Sequence, residues 1–71
     1  MDDSPLFEVR PGLSQWEVFQ GSRLIGRWAT RELAVDWARR LAASMVNGEL
    51  LIYDASGKLL AHHRYADPPT P

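Results

Sequence analysis

The stretch ATRELAVDWARRLAASMVNG, residues 29–48, decides the fold because it predicts one helix between segments that read as strands. Thr30 is a preferred N-cap residue, and Asn47-Gly48 supply the usual left-handed exit, so we expect a helix over residues 31–46. Apolar residues recur there at steps of three and four, which predicts one stripe that packs on a sheet. The stripe consists of Ala34, Trp37, Ala38, Leu41, Ala42 and Met45.

Two strand-like segments precede the helix, QWEVFQ at residues 15–20 and RLIGRWA at residues 23–29. Gly21-Ser22 between them has the spacing of a glycine-first hairpin turn. With this turn, Val18 faces Ile25 and Trp16 faces Arg27 on one side of the ribbon. Phe19, Leu24 and Trp28 then share the other side, so both faces of this hairpin are partly apolar.

The segment LFEVR, residues 6–10, predicts a brief first strand. Pro11-Gly12 ends it, because this dipeptide favours a turn and proline denies the sheet one donor. Such a strand suits the edge of a sheet, so we expect it there.

A second hairpin follows the helix, with strands at residues 49–54 and 58–65 around the turn DASGK. An aspartate that opens the turn and a glycine three residues later match a type I turn with a glycine bulge, which places Ile52 opposite Leu60 and Tyr53 opposite Leu59. A tight turn at residues 56–57 would instead place Ile52 opposite Ala61. The sequence leaves both registers open, and they differ in the side chains that reach the core.

These elements predict an α+β domain in the order β-β-β-α-β-β, with the helix on one face of a small antiparallel sheet. We expect a single compact domain over residues 6–66, between a flexible tail at residues 1–5 and a proline-rich flexible tail at residues 67–71. A core of this size supplies only about 3–5 kcal/mol, and small proteins usually add a disulfide, a metal or a partner subunit.

Composition narrows the possible function classes. The 71 residues include 8 Lys or Arg, 9 Asp or Glu and no cysteine, which indicates neither a strongly basic nucleic-acid binder nor a disulfide scaffold. The acidic start MDDSPLFEVR is unlike a secretory signal, and no apolar run reaches the roughly 20 residues of a membrane span. We therefore expect a cytoplasmic protein without a membrane segment.

Two groups of residues could carry chemistry. His62 and His63 resemble metal ligands, but neighbours in a strand point to opposite faces, and a zinc site needs three or four convergent ligands. Asp54 and Ser56 could form a hydrolytic triad with a histidine, yet both residue types also shape turns. We expect no metal, no cofactor and no catalytic residue.

A surface for a partner is the stronger functional prediction. One helix covers only one face of a sheet, so the other apolar face would stay exposed, and such patches usually mark interfaces. We predict binding to a protein, or to a second copy as a homodimer, through Phe19, Leu24, Trp28, Leu51 and Tyr53. The alternative is weak binding of single-stranded nucleic acid through Arg23, Arg27, Arg64 and Tyr65, which the balanced net charge disfavours.

The order of these parts resembles the small bacterial family catalogued as domain of unknown function 2188, over about residues 15–66. The matching positions are Trp16, Val18, Thr30, Ala34, Ala38, Arg39, Ile52, Asp54, Gly57 and Tyr65. The chain departs from that pattern at Leu33, where the family usually has an acidic residue that completes a capping box, and in the added segment Leu6 to Arg10. The resemblance implies a compact α/β fold and no known activity.

Overall fold

The computed structural model describes residues 4–65, and these residues follow the predicted order of three strands, one helix and two strands. The strands form a five-stranded sheet in the order β3-β2-β1-β4-β5, and the helix packs on one face, here called the helix side. The elements are β1 (Leu6–Pro11), β2 (Trp16–Gln20), β3 (Arg23–Trp28), α1 (Arg31–Ala43), β4 (Gly48–Tyr53) and β5 (Leu59–Tyr65).

Strand β1 lies in the centre of the sheet, so its predicted position at an edge is wrong. It pairs antiparallel with β2 and parallel with β4, which makes the sheet mixed rather than wholly antiparallel. The parallel pair arises because α1 carries the chain from β3 across the sheet to the far side of β1. Pro11 is the last residue of β1, so its missing N–H lies at the end of the ladder.

The hydrophobic core lies between α1 and the central strands. Three alanines of α1 are fully buried, which confirms the predicted stripe, and their small side chains let the helix lie close to the sheet. The buried residues of the core are Phe7, Val9, Val18, Ala34, Ala38, Ala42, Leu50 and Ile52.

Both ends of α1 have identifiable caps. The Leu33 N–H donates to Thr30 Oγ1 at 3.2 Å, which confirms Thr30 as the N-cap. The helix ends at Ala43 rather than at the predicted residue 46. Ser44 is the C-cap, and its hydroxyl donates to the Leu41 carbonyl at 2.7 Å. The left-handed residue of the exit is Asn47, with φ of 57°.

Completing the capping box should stabilise the domain. Leu33 is 54% exposed at the N3 position, where a glutamate could accept a hydrogen bond from the Thr30 N–H. We expect Leu33→Glu to raise the free energy of unfolding by about 0.5 kcal/mol and Thr30→Ala to lower it by about 1 kcal/mol. Urea denaturation of both variants measures this, and a destabilised Leu33→Glu protein would contradict the cap geometry.

The first hairpin turns at Gly21, whose φ of 61° is left-handed, as a glycine-first turn requires. The predicted register, with Val18 facing Ile25, is wrong because Val18 pairs with Gly26. The register shifts between Val18 and Phe19, where Ile25 is the extra residue of a β-bulge.

This β-bulge changes the face on which Trp28 lies. Trp28 pairs with Trp16, whereas the prediction paired Trp16 with Arg27. Trp28 therefore lies on the helix side, not beside Phe19 on the opposite face. Its ring centroid is 4.5 Å from that of Trp37 in α1, so the observed register packs this large side chain against the helix.

The second hairpin combines the two predicted registers. Tyr53 pairs with Leu59, as the bulged turn predicts, while Ile52 pairs with Ala61, as the tight turn predicts. Leu60 is the extra residue between these pairs.

The N-terminal segment is bound to the sheet at two residues that the sequence assigns to a tail. The Glu49 N–H donates to the Pro5 carbonyl at 2.9 Å, and Gln20 Nε2 donates to the Ser4 carbonyl at 3.0 Å. The rest of the predicted tails, residues 1–3 and 67–71, lies outside the described residues.

Candidate functional site

The face of the sheet opposite α1 is the candidate site, and we call it the outer face. Strand pairing determines which side chains lie on it, because residues opposite each other in a ladder share a face. In the part of the chain that the structure describes, these are Leu6, Glu8, Arg10, Glu17, Phe19, Leu24, Arg27, Glu49, Leu51, Tyr53, Leu59, His62 and Arg64.

The structure brings most of the predicted interface residues onto this face. Phe19 and Leu24 pair with each other on β2 and β3, while Leu51 and Tyr53 lie on β4. Leu24 is 36% exposed and the other three are half-buried. Trp28 is the exception, since the β-bulge places it on the helix side.

Arg10 of β1 lies between the two groups of predicted residues. Its guanidinium carbon is 5.1 Å from the centroid of the Phe19 ring and 5.6 Å from that of the Tyr53 ring. Both distances fall within the range of a cation–π contact, in which the electron-rich face of a ring attracts the cation. The stack joins aromatic side chains of β2 and β4 across the central strand.

Glu8 holds Arg10 in this position. Arg10 Nε donates to Glu8 Oε1 at 2.9 Å, and a second N–H from Nη2 reaches the same oxygen. Glu8 is only 7% exposed although α1 lies on the other face, so its neighbours and the guanidinium shield it. A carboxylate this buried is tolerable because it is paired and hydrogen bonded.

Sequence reasoning missed Glu8 and Arg10 because it placed β1 at an edge. The signal that could have found them is the alternation in LFEVR, which puts Glu8 and Arg10 on the face opposite to Phe7 and Val9. Because β1 lies between β2 and β4, Arg10 is placed between the rings of Phe19 and Tyr53, and the alternation alone does not show this.

Ion pairs flank this centre on both sides. On β2 and β3, Arg27 Nε lies 3.2 Å from Glu17 Oε2. On β4 and β5, Glu49 Oε1 lies 2.9 Å from His62 Nε2 and 3.7 Å from an Arg64 nitrogen. The outer face therefore pairs its carboxylates with cationic partners and carries no strong excess of either sign.

The residues of the predicted nucleic-acid surface are not brought together. Arg23 and Arg27 lie on β3 and Arg64 and Tyr65 on β5, and these strands form the two opposite edges of the sheet. Tyr65 pairs with Gly48 on the helix side and packs against the core. These four side chains do not form one binding surface.

His62 and His63 lie on opposite faces, as expected for neighbours in a strand. His62 pairs with Leu51 on the outer face, and His63 pairs with Leu50 on the helix side. Residues 4–65 contain no group of three or more His, Cys, Asp or Glu side chains that could hold a metal ion.

Asp54 organises the turn between β4 and β5. Its Oδ1 accepts hydrogen bonds from the Ser56 hydroxyl at 2.7 Å, the Ser56 N–H at 2.9 Å and the Lys58 N–H at 2.9 Å. The Gly57 N–H donates to the Asp54 carbonyl at 2.9 Å, and Gly57 has φ of 86°, as expected for a type I turn with a glycine bulge. The hydrogen bond from the Ser56 hydroxyl, with that from the Lys58 N–H, lowers the pKa of Asp54.

This lowered pKa predicts an acid-sensitive contribution to stability. Because the folded-state pKa of Asp54 lies below its unfolded-state value, the contribution is fully present above the unfolded-state pKa and is lost as pH falls through the folded-state pKa. Ser56→Ala removes the largest cause, so the pKa of Asp54 should rise and the acid dependence of stability should weaken. NMR titration of the Asp54 carboxyl carbon measures this, and equal pKa values in both proteins would contradict it.

Comparisons with models of protein families, with curated proteins and with solved structures found no match to this chain. Membership of the family that the sequence resembles therefore stays a prediction. No helix in the described part of the chain has the length and apolar character needed to cross a membrane.

Proposed function

We propose that this chain is a non-catalytic interaction domain that self-associates through its outer face. The observation that carries the proposal is the Phe19–Arg10–Tyr53 stack on a face that α1 does not cover. Tyrosine and arginine are enriched among the residues that dominate binding energy at interfaces. Here the stack and the Glu8 ion pair hold the arginine in place before any partner arrives, which lowers the entropy lost on binding.

A second copy is the partner that the charges favour. When identical faces meet about a two-fold axis, each group meets the groups of its own surface, so that surface must be self-complementary. Glu17, Glu49 and their cationic partners provide both signs on the two flanks of the outer face. A polyanion such as nucleic acid would instead need a clear excess of positive charge.

The thin core also supports self-association. A domain of this size buries only about 60% of the surface that its unfolded chain exposes. Contact between two outer faces would bury part of Leu24, which is 36% exposed, together with Leu51 and the aromatic rings. Association stabilises the fold by mass action, so we expect the melting temperature to rise with protein concentration.

Sedimentation equilibrium of the full chain over a wide concentration range tests the proposal. The wild-type mass should rise from that of the monomer, 8.0 kDa, toward twice that value. Leu51→Lys places a charge in the apolar part of the outer face, beside Glu8. It should weaken the dimer, raising its dissociation constant by at least about tenfold. Leu13→Lys is the matched control, because Leu13 is fully exposed in the β1–β2 loop.

The outcomes are distinct. A wild-type chain that stays monomeric at every concentration, or a Leu51→Lys variant that associates like Leu13→Lys, would overturn self-association through this face. Circular dichroism checks that both variants keep the fold.

We also propose that the domain is located in the cytoplasm. Fractionation of cells that produce the tagged chain tests this location.

A further inference from the structure

A second surface lies on the other side of the sheet, where α1 leaves β5 uncovered. A groove of about 380 Å³ runs between α1 and β5. Its apolar lining comes from Val35, Ile52, Leu60 and Ala61. Its rim consists of charged side chains of both signs from α1, namely Arg31, Glu32, Asp36 and Arg39. Leu60 is 54% exposed, so the groove offers an apolar contact to an incoming side chain.

The groove borders a free sheet edge. Among the described residues β5 pairs only with β4, so the backbone groups on its other side have no partner strand. The extra residue of β5 is Leu60, near its start, and Ala61–Tyr65 pair regularly with β4. The other edge strand, β3, has its extra residue Ile25 in the middle, which interrupts a regular ladder.

The charge of this edge determines which strand fits beside it. From Lys58 to Tyr65 the sequence is KLLAHHRY, which contains basic residues and two histidines but no acidic residue. Arg64 is exposed at this edge, and Glu49, the carboxylate that pairs with it among residues 4–65, is also hydrogen bonded to His62. Two β5 strands side by side would bring like charges together, which is destabilising, whereas an acidic strand would meet opposite charge.

We propose that the edge of β5 and the adjoining groove bind an extended acidic peptide as an added β-strand. Its backbone pairs with Ala61–Tyr65, and alternate side chains point to opposite faces. An apolar side chain on the helix side enters the groove beside Leu60. Acidic side chains of the peptide on the outer face lie near His62 and Arg64. His62 and Arg64 also belong to the flank of the outer face. The site does not include the Phe19–Arg10–Tyr53 stack, and the proposal does not depend on self-association.

The test uses three fluorescent peptides as long as β5, which has 7 residues. The first alternates valine and glutamate, the second has lysine in place of glutamate, and the third is the first with alternate backbone nitrogens methylated. We expect fluorescence anisotropy to show saturable binding of the first peptide below millimolar concentration. The other two should bind at least about tenfold more weakly, because they lose charge complementarity or backbone hydrogen bonds.

Variants of the full chain locate the site. Arg64→Glu should weaken binding of the valine–glutamate peptide about tenfold, and Leu60→Ala about fivefold. Leu33→Ala is the matched control, because Leu33 is also 54% exposed but lies outside the groove, and it should bind like the wild type. In NMR spectra the peptide should shift the amide signals of Ala61–Tyr65 more than those of β3.

Each opposite result overturns the inference. If the lysine peptide binds as tightly as the valine–glutamate peptide, the partner is not selected for acidic side chains. If the methylated peptide binds as tightly, the peptide is not held as an added strand. Equal loss with Leu33→Ala and Leu60→Ala removes the groove as the site. Absence of binding at millimolar peptide removes the whole inference, and leaves self-association through the outer face to its own test.

Discussion

Replacing Gly48 with alanine should destabilise the domain by about 3 kcal/mol, because the new methyl group has no space. A Cβ at this position would lie 1.8 Å from the Ala42 carbonyl oxygen and 2.7 Å from its carbon. Neither backbone can yield easily, since Ala42 is buried in α1 and Gly48 begins β4. The substitution must therefore push the end of the helix away from the sheet.

Urea denaturation compares Gly48→Ala with Gly57→Ala. Gly57 has φ of 86° with nothing within 4 Å of a Cβ, so its replacement brings backbone strain without a clash. We expect this control to lose only about 1 kcal/mol. If Gly48→Ala proved as stable as the control, the close approach of α1 and β4 would be wrong.

Phe7→Ala should leave little folded protein at 25 °C. Phe7 is 1% exposed and lies on β1 between Gln20 of β2 and Leu50 of β4. Removing a buried phenylalanine costs about 3–5 kcal/mol, which is close to the whole stability expected for a core of this size. Circular dichroism should show loss of the cooperative thermal transition.

The matched control is Leu13→Ala, which removes an apolar side chain from the exposed β1–β2 loop. It should unfold like the wild type, since surface substitutions usually change stability by less than about 0.5 kcal/mol. A Phe7→Ala protein that melts with the same cooperativity and midpoint as this control would contradict the central position of β1.

Short-range signals made much of the fold predictable from sequence. Thr30 at the start of α1 and Gly21 in the first hairpin each act within a few residues, so local chemistry indicates them. The alanine stripe of α1 follows in the same way from helical periodicity. The order of the elements is read directly from these signals.

Long-range packing decided what the sequence reading missed. The motif at Pro11 is compatible with either an edge or the end of a central strand, and only pairing with β4 selects the centre. A single extra residue, Ile25, moves Trp28 from one face to the other, and no local motif marks that bulge. Gly48 likewise reads as a helix exit, although Asn47 takes the left-handed conformation and Gly48 is needed for close packing.

The candidate site, like the fold, was predictable from sequence where it depends on local alternation and not where it depends on the order of the strands. Leu51 and Phe19 follow from strand alternation, since each lies next to a residue of the core face. The Arg10 stack depends on three strands in the observed order, which the sequence does not determine. The balance of charge around it became visible only with the cross-strand ion pairs.

Isotope-filtered NOE spectroscopy tests whether two copies of the chain associate through their outer faces. An equal mixture of carbon-13-labelled and unlabelled chains, at a concentration where the measured mass exceeds that of the monomer, reports only contacts between copies. We expect intermolecular contacts from the methyl groups of Leu24 and Leu51 to the rings of Phe19 and Tyr53. Contacts confined to α1 or to the helix-side residues of β5, or none from the outer face, would contradict self-association through this face.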